Sequence, residues 1–140
     1  MSKPVLIILH QEHSTPGRVG YALQQRGFTL DMRRPPLGEP LPNDLQDYSG
    51  VVIFGGPMSA NDPDAFIGEE IKLIERTLRA ETPFLGLCLG AQLLCRAMGT
   101  RVYKHPDEET EIGYYPLRPT RAGEAWASSQ GARWPRAVYH

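Results

Sequence analysis

The chain has 140 residues, 41% of them hydrophobic and 22% charged, with a formal net charge of −1. That length and composition suit one soluble domain with a real core. A balance so near neutral leaves no electrostatic footprint for nucleic acid or an anionic membrane surface, and no run approaches the ~18 apolar residues of a membrane span.

The first residues lead directly into an apolar run, without the charged and apolar regions of a signal peptide. Val5-Leu6-Ile7-Ile8-Leu9 suits a strand covered on both faces in a parallel sheet. His10 to Ser14 reads as a polar loop. His10, Glu12 and His13 lack the helical His-x-x-x-His spacing of a zinc pair, so they predict a polar mouth at the strand end and no metal. Thr15 is expected as an N-cap, with Pro16 at the first helical position. The helix should continue through Val19, Ala22 and Leu23 and end at Gly27. Residues 28–32 form a weaker strand candidate. Residues 33–43 contain four prolines and read as a loop.

Val51-Val52-Ile53-Phe54 is a third strand, running into Gly55-Gly56-Pro57-Met58. Turn chemistry over 60–64 precedes a helix to about Ala80. In that helix Ile67, Ile71, Ile74 and Leu78 make one apolar stripe at i, i+4, i+7 and i+11. Glu69 and Glu70 come early and Arg76 and Arg79 late, the order that the helix macrodipole favours.

Residues 84–87 have the length and composition of a buried strand, and a helical pattern then runs to Gly99, a natural C′ residue. Cys88 lies between them, with Gly86 and Gly90 two residues to either side. This is the Gly-x-nucleophile-x-Gly spacing of a nucleophile elbow, with sulfur as the nucleophile. The turn leaves no room for side chains at the flanking positions. It also presents the thiol at a helix N-terminus, where the dipole and free N–H groups favour a thiolate. If Cys88 and Cys95 share that helix, they stand ~10 Å apart at 1.5 Å per residue, too far for a disulfide. Without a disulfide framework, a reducing, cytoplasmic setting is expected.

Strand and helix alternation predicts an α/β fold: a flavodoxin-like, open, mostly parallel sheet with helices on both faces. Ligands then bind beyond the carboxyl ends of the strands, where Cys88 and the Gly55-Gly56 loop both fall. Past Gly99, residues 101–104 are a short strand candidate, 105–109 a charged turn and 112–117 another extended piece, together a short antiparallel extension at the C-terminal end. Residues 122–130 read as a short helix or loop, and from Gly131 to His140 the pattern is thin.

Gly86-Leu87-Cys88-Leu89-Gly90-Ala91-Gln92 resembles the signature of the class I glutamine amidotransferases, the Cys-His-Glu glutaminases. Glu111-Ile112-Gly113-Tyr114-Tyr115-Pro116-Leu117 resembles the strand after the elbow helix in GMP-synthase-like members. The resemblance implies that Cys88 attacks the glutamine side-chain amide and that a γ-glutamyl thioester is then hydrolysed. It implies oxyanion donors at Gly56 and Leu89, with Gln92 and Met58 holding the substrate. It calls for no cofactor. The family's histidine and glutamate lie further downstream, in a Trp-His segment and beyond it. Here only His105 and His140 follow the elbow. His105 reads as a solvated loop residue, and residues 134–140 resemble only the approach to the histidine segment. Glu108, Glu109, Glu111 and Glu124 all precede it.

The chain therefore resembles the first two-thirds of a glutaminase domain, incomplete at the C-terminus, and little turnover is expected from it alone. No phosphate loop or ATP-using synthetase segment is present, so an ammonia acceptor is expected on a separate synthase chain. Two alternatives stay open: a γ-glutamyl peptidase or hydrolase with the same cysteine elbow, and a non-enzymatic binding or regulatory fragment. Open apolar sheet surface would favour self-association.

Overall fold

Four consecutive buried residues make β1 (Val5–Ile8) the central strand that its sequence predicts. The computed structural model describes residues 2–139, in two compact units that divide between Tyr103 and Lys104. In the first unit β1 pairs in parallel with β2 (Leu30–Arg33) and β3 (Gly50–Ile53), and β4 (Phe84–Gly86) adds in parallel to β3, giving the order β2-β1-β3-β4.

Alternate residues of the central strands go to opposite faces. Leu6, Ile8, Val51 and Ile53 pack with Ile67, Leu73 and Ile74 of α2 (Ala65–Arg79) and with Leu89 and Leu93 of α3 (Leu89–Ala97). Val5, Ile7, Leu9 and Val52 face the other way, toward Val19 and Leu23 of α1 (Gly17–Gln24). Helices on both faces of a parallel sheet are the arrangement the strand–helix alternation predicts. Leu85 of β4, the register partner of Val52, remains 44% exposed, so apolar strand surface is left open on the α1 side.

Several local expectations shift. The residue before α1 is Pro16, without a side-chain cap, rather than Thr15; the Pro16 carbonyl already accepts from Gly20 N–H at 2.9 Å, so the helix starts one residue later. Gly27 takes φ +83° in the turn that follows. The buried stripe of α2 is Ile67, Glu70, Leu73, Ile74 and Thr77, and Leu78 is 42% exposed. The stripe therefore leans along the i+3 row instead of the i+4 row. Glu70 is drawn into the core instead of serving the macrodipole, and the first turn of α2 has no acid. Glu69 stays outside and meets Lys72 at 3.0 Å. Residues 101–104 form no strand: Val102 packs on the core while its carbonyl accepts from the Asn61 side chain at 2.8 Å, taking that backbone group away from any ladder.

In the second unit β5 (Tyr114–Pro116) and β6 (Ala137–Tyr139) pair antiparallel, with Tyr114 opposite Tyr139. Between them lies α4 (Arg121–Ser129), whose N-cap Thr120 accepts from Gly123 N–H at 3.1 Å. The Trp134 indole N–H donates to the Gly123 carbonyl at 2.9 Å and ties the following loop to that helix. β6 falls in the stretch with little pattern because all three of its residues are exposed. Among the described residues no helix is long and apolar enough to cross a membrane.

Gly68 sits exposed inside α2, and a Cβ there would meet nothing within 4 Å. Gly68→Ala is expected to raise unfolding free energy by about 0.5–1 kcal/mol, because alanine loses less backbone entropy in a helix. Urea titration of the two proteins measures it.

Candidate functional site

Only two residues, Leu87 and Cys88, separate β4 from α3. Such a turn forces the backbone into an unusual state, and Cys88 has φ +53° and ψ −109°. A non-glycine residue held there carries strain of about 1–3 kcal/mol, which the surroundings must offset. They do so by contact. A Cβ on Gly86 would lie 2.7 Å from the Gly90 carbonyl group, and one on Gly90 would lie 2.2 Å from the Ile53 oxygen. Leu87 N–H donates to that Ile53 oxygen at 2.9 Å, and Gln92 N–H donates to the Cys88 carbonyl at 3.1 Å. The elbow is thus clamped to β3 before it and to its own helix after it, with the Cys88 side chain exposed.

Because β3 and β4 are neighbours, the turn after β3 comes against the elbow. A Cβ built on Gly55 would stand 3.2 Å from Cys88 Cβ and 3.6 Å from its Sγ. The Gly55-Gly56 turn and the thiol therefore share one corner of the sheet. Leu89, the first residue of α3, is buried. Its N–H belongs to the first turn, where donors have no intrahelical acceptor. Gln92 is exposed one turn further along α3. Met58 is half-buried against the core, and its Sδ lies 3.1 Å from where a Gly56 Cβ would be. Cys88, Gly56, Leu89, Gln92 and Met58 are thus carried by two adjacent strand ends and one helix start.

His10 departs from the sequence expectation. It does not line a solvated mouth. It is buried with Glu70, both side chains 0% exposed, and its Nε2 lies 3.1 Å from each Glu70 carboxylate oxygen. Its Nδ1 lies 3.0 Å from the Gly55 carbonyl oxygen. The Phe66 ring flanks it at 6.3 Å. Glu12 and His13 do not join it; His13 is 92% exposed on its side chain. Two sequence signals mark its members separately, though not their pairing: a histidine after an all-apolar run, and one acid bracketed by Ile67, Leu73 and Ile74 on a helix.

Burial is the largest influence on His10 and disfavours its charge. The Glu70 hydrogen bond and charge, together with the Gly55 carbonyl, outweigh it and hold the imidazole pKa above its ordinary 6.5. Downstream, His105 lies in the second unit, and His140 lies outside the described residues. Among the described residues no imidazole is hydrogen-bonded to Cys88.

Comparison with known proteins agrees with this geometry. The family model described as glutamine amidotransferase class-I matches residues 17–132. A glutamine amidotransferase-like protein of Salmonella typhimurium, YfeJ, is 33% identical over 124 residues, covering 85% of this chain and 51% of that protein. A glutamine-hydrolysing GMP synthase of Porphyromonas gingivalis is 40% identical over 73 residues, 52% of this chain and 13% of the synthase. The crystal structure of a glutamine amidotransferase from Methylobacillus flagellatus superposes on all of this chain and 58% of its own, with a TM-score of 0.81 and 31% identity. The chain thus spans about half the length of the Salmonella relative and far less of the synthase.

Two predictions follow from the packing and the charge. Gly90→Ala is expected to lower stability by about 1–3 kcal/mol, because its methyl would meet the Ile53 backbone carbonyl; chemical denaturation tests it. The second concerns pH. A histidine whose folded pKa is raised stabilises the fold fully below its unfolded pKa of about 6.5 and loses that contribution as pH rises through the folded value. The melting-temperature gap between wild type and His10→Gln should therefore narrow as pH is raised from about 6 to about 9. A gap that widens with rising pH would contradict a raised His10 pKa.

Proposed function

Because the chain belongs to the class I glutamine amidotransferase family, we propose that it carries the nucleophile half of a glutaminase site. Cys88 is the proposed nucleophile. Its sulfur attacks the side-chain amide carbon of glutamine, forming a C–S bond and pushing an electron pair onto the carbonyl oxygen. The Gly56 and Leu89 N–H groups are the proposed donors for that oxyanion. Collapse of the intermediate releases ammonia once its nitrogen is protonated, leaving a γ-glutamyl thioester that water converts to glutamate. Gln92 and Met58 are the proposed substrate contacts, since they border the same corner as the thiol.

The observation that carries this reading is the contact between the Gly55-Gly56 turn and a strained, exposed cysteine at the start of a helix. Proton transfer is assigned to groups outside the described residues: His10 is committed to Glu70 and Gly55, and no other imidazole among the described residues bonds Cys88. The ammonia acceptor is proposed to be a separate synthase chain.

Labelling with a glutamine-like chloroketone and intact-mass measurement tests the proposal. The expected result is one adduct on Cys88, blocked by glutamine, absent in Cys88→Ala, with Cys95 unmodified. Equal labelling of both cysteines without protection would overturn it. Protection by γ-glutamyl peptides but not by glutamine would instead identify a γ-glutamyl hydrolase. Steady ammonia release by the 140-residue chain should fall about 10²–10⁴-fold below that of a glutaminase with its acid–base group in place.

A further inference from the structure

No step above uses the buried His10–Glu70 pair, yet it touches the proposed oxyanion loop. His10 Nδ1 lies 3.0 Å from the Gly55 carbonyl oxygen, and that oxygen can only accept a hydrogen bond. A proton must therefore sit on Nδ1. Glu70 fixes the ring from the far side, with both carboxylate oxygens 3.1 Å from Nε2. His10 continues the end of β1, and Glu70 comes from α2. The ring is thus a strut between the sheet, a helix and the turn.

The consequence lies in the peptide that joins Gly55 to Gly56. All peptide bonds of the described residues are trans, so the Gly55 carbonyl and the Gly56 N–H point in opposite directions. A carbonyl held on His10 sends the Gly56 N–H away from His10. A peptide between two glycines is among the easiest to flip, because glycine tolerates both signs of φ. His10 also covers Gly56 sterically: a Cβ there would lie 2.8 Å from His10 Cβ and 3.1 Å from its Cγ. The same turn also lies against the thiol: a Cβ built on Gly55 would stand 3.2 Å from Cys88 Cβ and 3.6 Å from its Sγ.

We infer that His10, held by Glu70, is a positioning residue that locks the Gly55-Gly56 peptide in the orientation that frees the Gly56 N–H as an oxyanion donor. The inference rests on the glutaminase reading above and adds to it the group that keeps the donor aimed.

The test compares two electrophiles at Cys88 of the full chain, with each adduct read by peptide mass spectrometry. A glutamine-like chloroketone passes through a tetrahedral oxyanion before chloride leaves. Iodoacetamide alkylates sulfur by direct displacement and needs no oxyanion donor. His10→Leu is expected to slow the chloroketone's limiting rate by about 10²–10³-fold, the effect of losing one oxyanion donor, while the iodoacetamide rate stays unchanged.

Should the leucine protein fail to fold, two variants of similar polarity, each combined with Glu70→Gln, give the answer. His10→Asn can place an amide N–H near the Nδ1 position and keep the Gly55 bond. His10→Gln places its amide near Nε2 and cannot. The asparagine variant should retain chloroketone reactivity and the glutamine variant should lose it. Equal ratios of the two rates across all variants would overturn the inference while leaving the glutaminase reading intact. Wild-type chloroketone labelling that glutamine does not block would overturn the glutaminase reading itself.

Discussion

Gly90 approaches the Ile53 carbonyl so closely that not even a methyl group fits between them, and the site inherits its geometry from that meeting of backbones. The contact presses the start of α3 onto the end of β3. It draws the chain between β4 and α3 into a two-residue turn, and so lifts Cys88 into the conformation that exposes its sulfur. Interactions between side chains adjust by rotamer changes, whereas a backbone packed on a backbone has no such freedom. The strain at Cys88 is thereby held by the sheet as a whole.

A second constraint operates on the other flank of the same corner. The turn after β3 touches both a thiol and a buried imidazole. The two successive glycines meet different neighbours: a side chain on the first would press on Cys88, and a side chain on the second would displace His10. The pair His10–Glu70 joins the end of β1 to the middle of α2, so the first strand, the third strand's exit and the long helix register against one another through one ring. Burying such a pair is unfavourable unless its hydrogen bonds are complete, and here both imidazole nitrogens have partners.

What could be read from the sequence follows how local each signal is. The elbow is written in seven consecutive residues, Gly86 to Gln92, and the strand before it and the helix after it are equally local. The central strands were legible because burial on both faces demands unbroken apolar runs, as in residues 5–9. The His10–Glu70 pair was not legible as a pair: its members stand 60 positions apart, and an acid on a helix reads first as a surface residue. β6 escaped notice because an exposed strand needs no apolar alternation. The segment 101–104 looked like a strand, but the Asn61 side chain captured a carbonyl that a ladder would have used.

The glycine corner also bears on how a site like this could diversify. Two of its wall positions, 56 and 90, are closed to a larger residue by His10 and by the Ile53 carbonyl, and position 55 is tight against Cys88. On the proposed glutaminase reading, discrimination among acyl donors would then fall to the half-buried Met58 and the exposed Gln92. On that reading the glycine corner stays fixed while its periphery is open to revision, and a change of preferred donor need not disturb the fold that holds the sulfur in place.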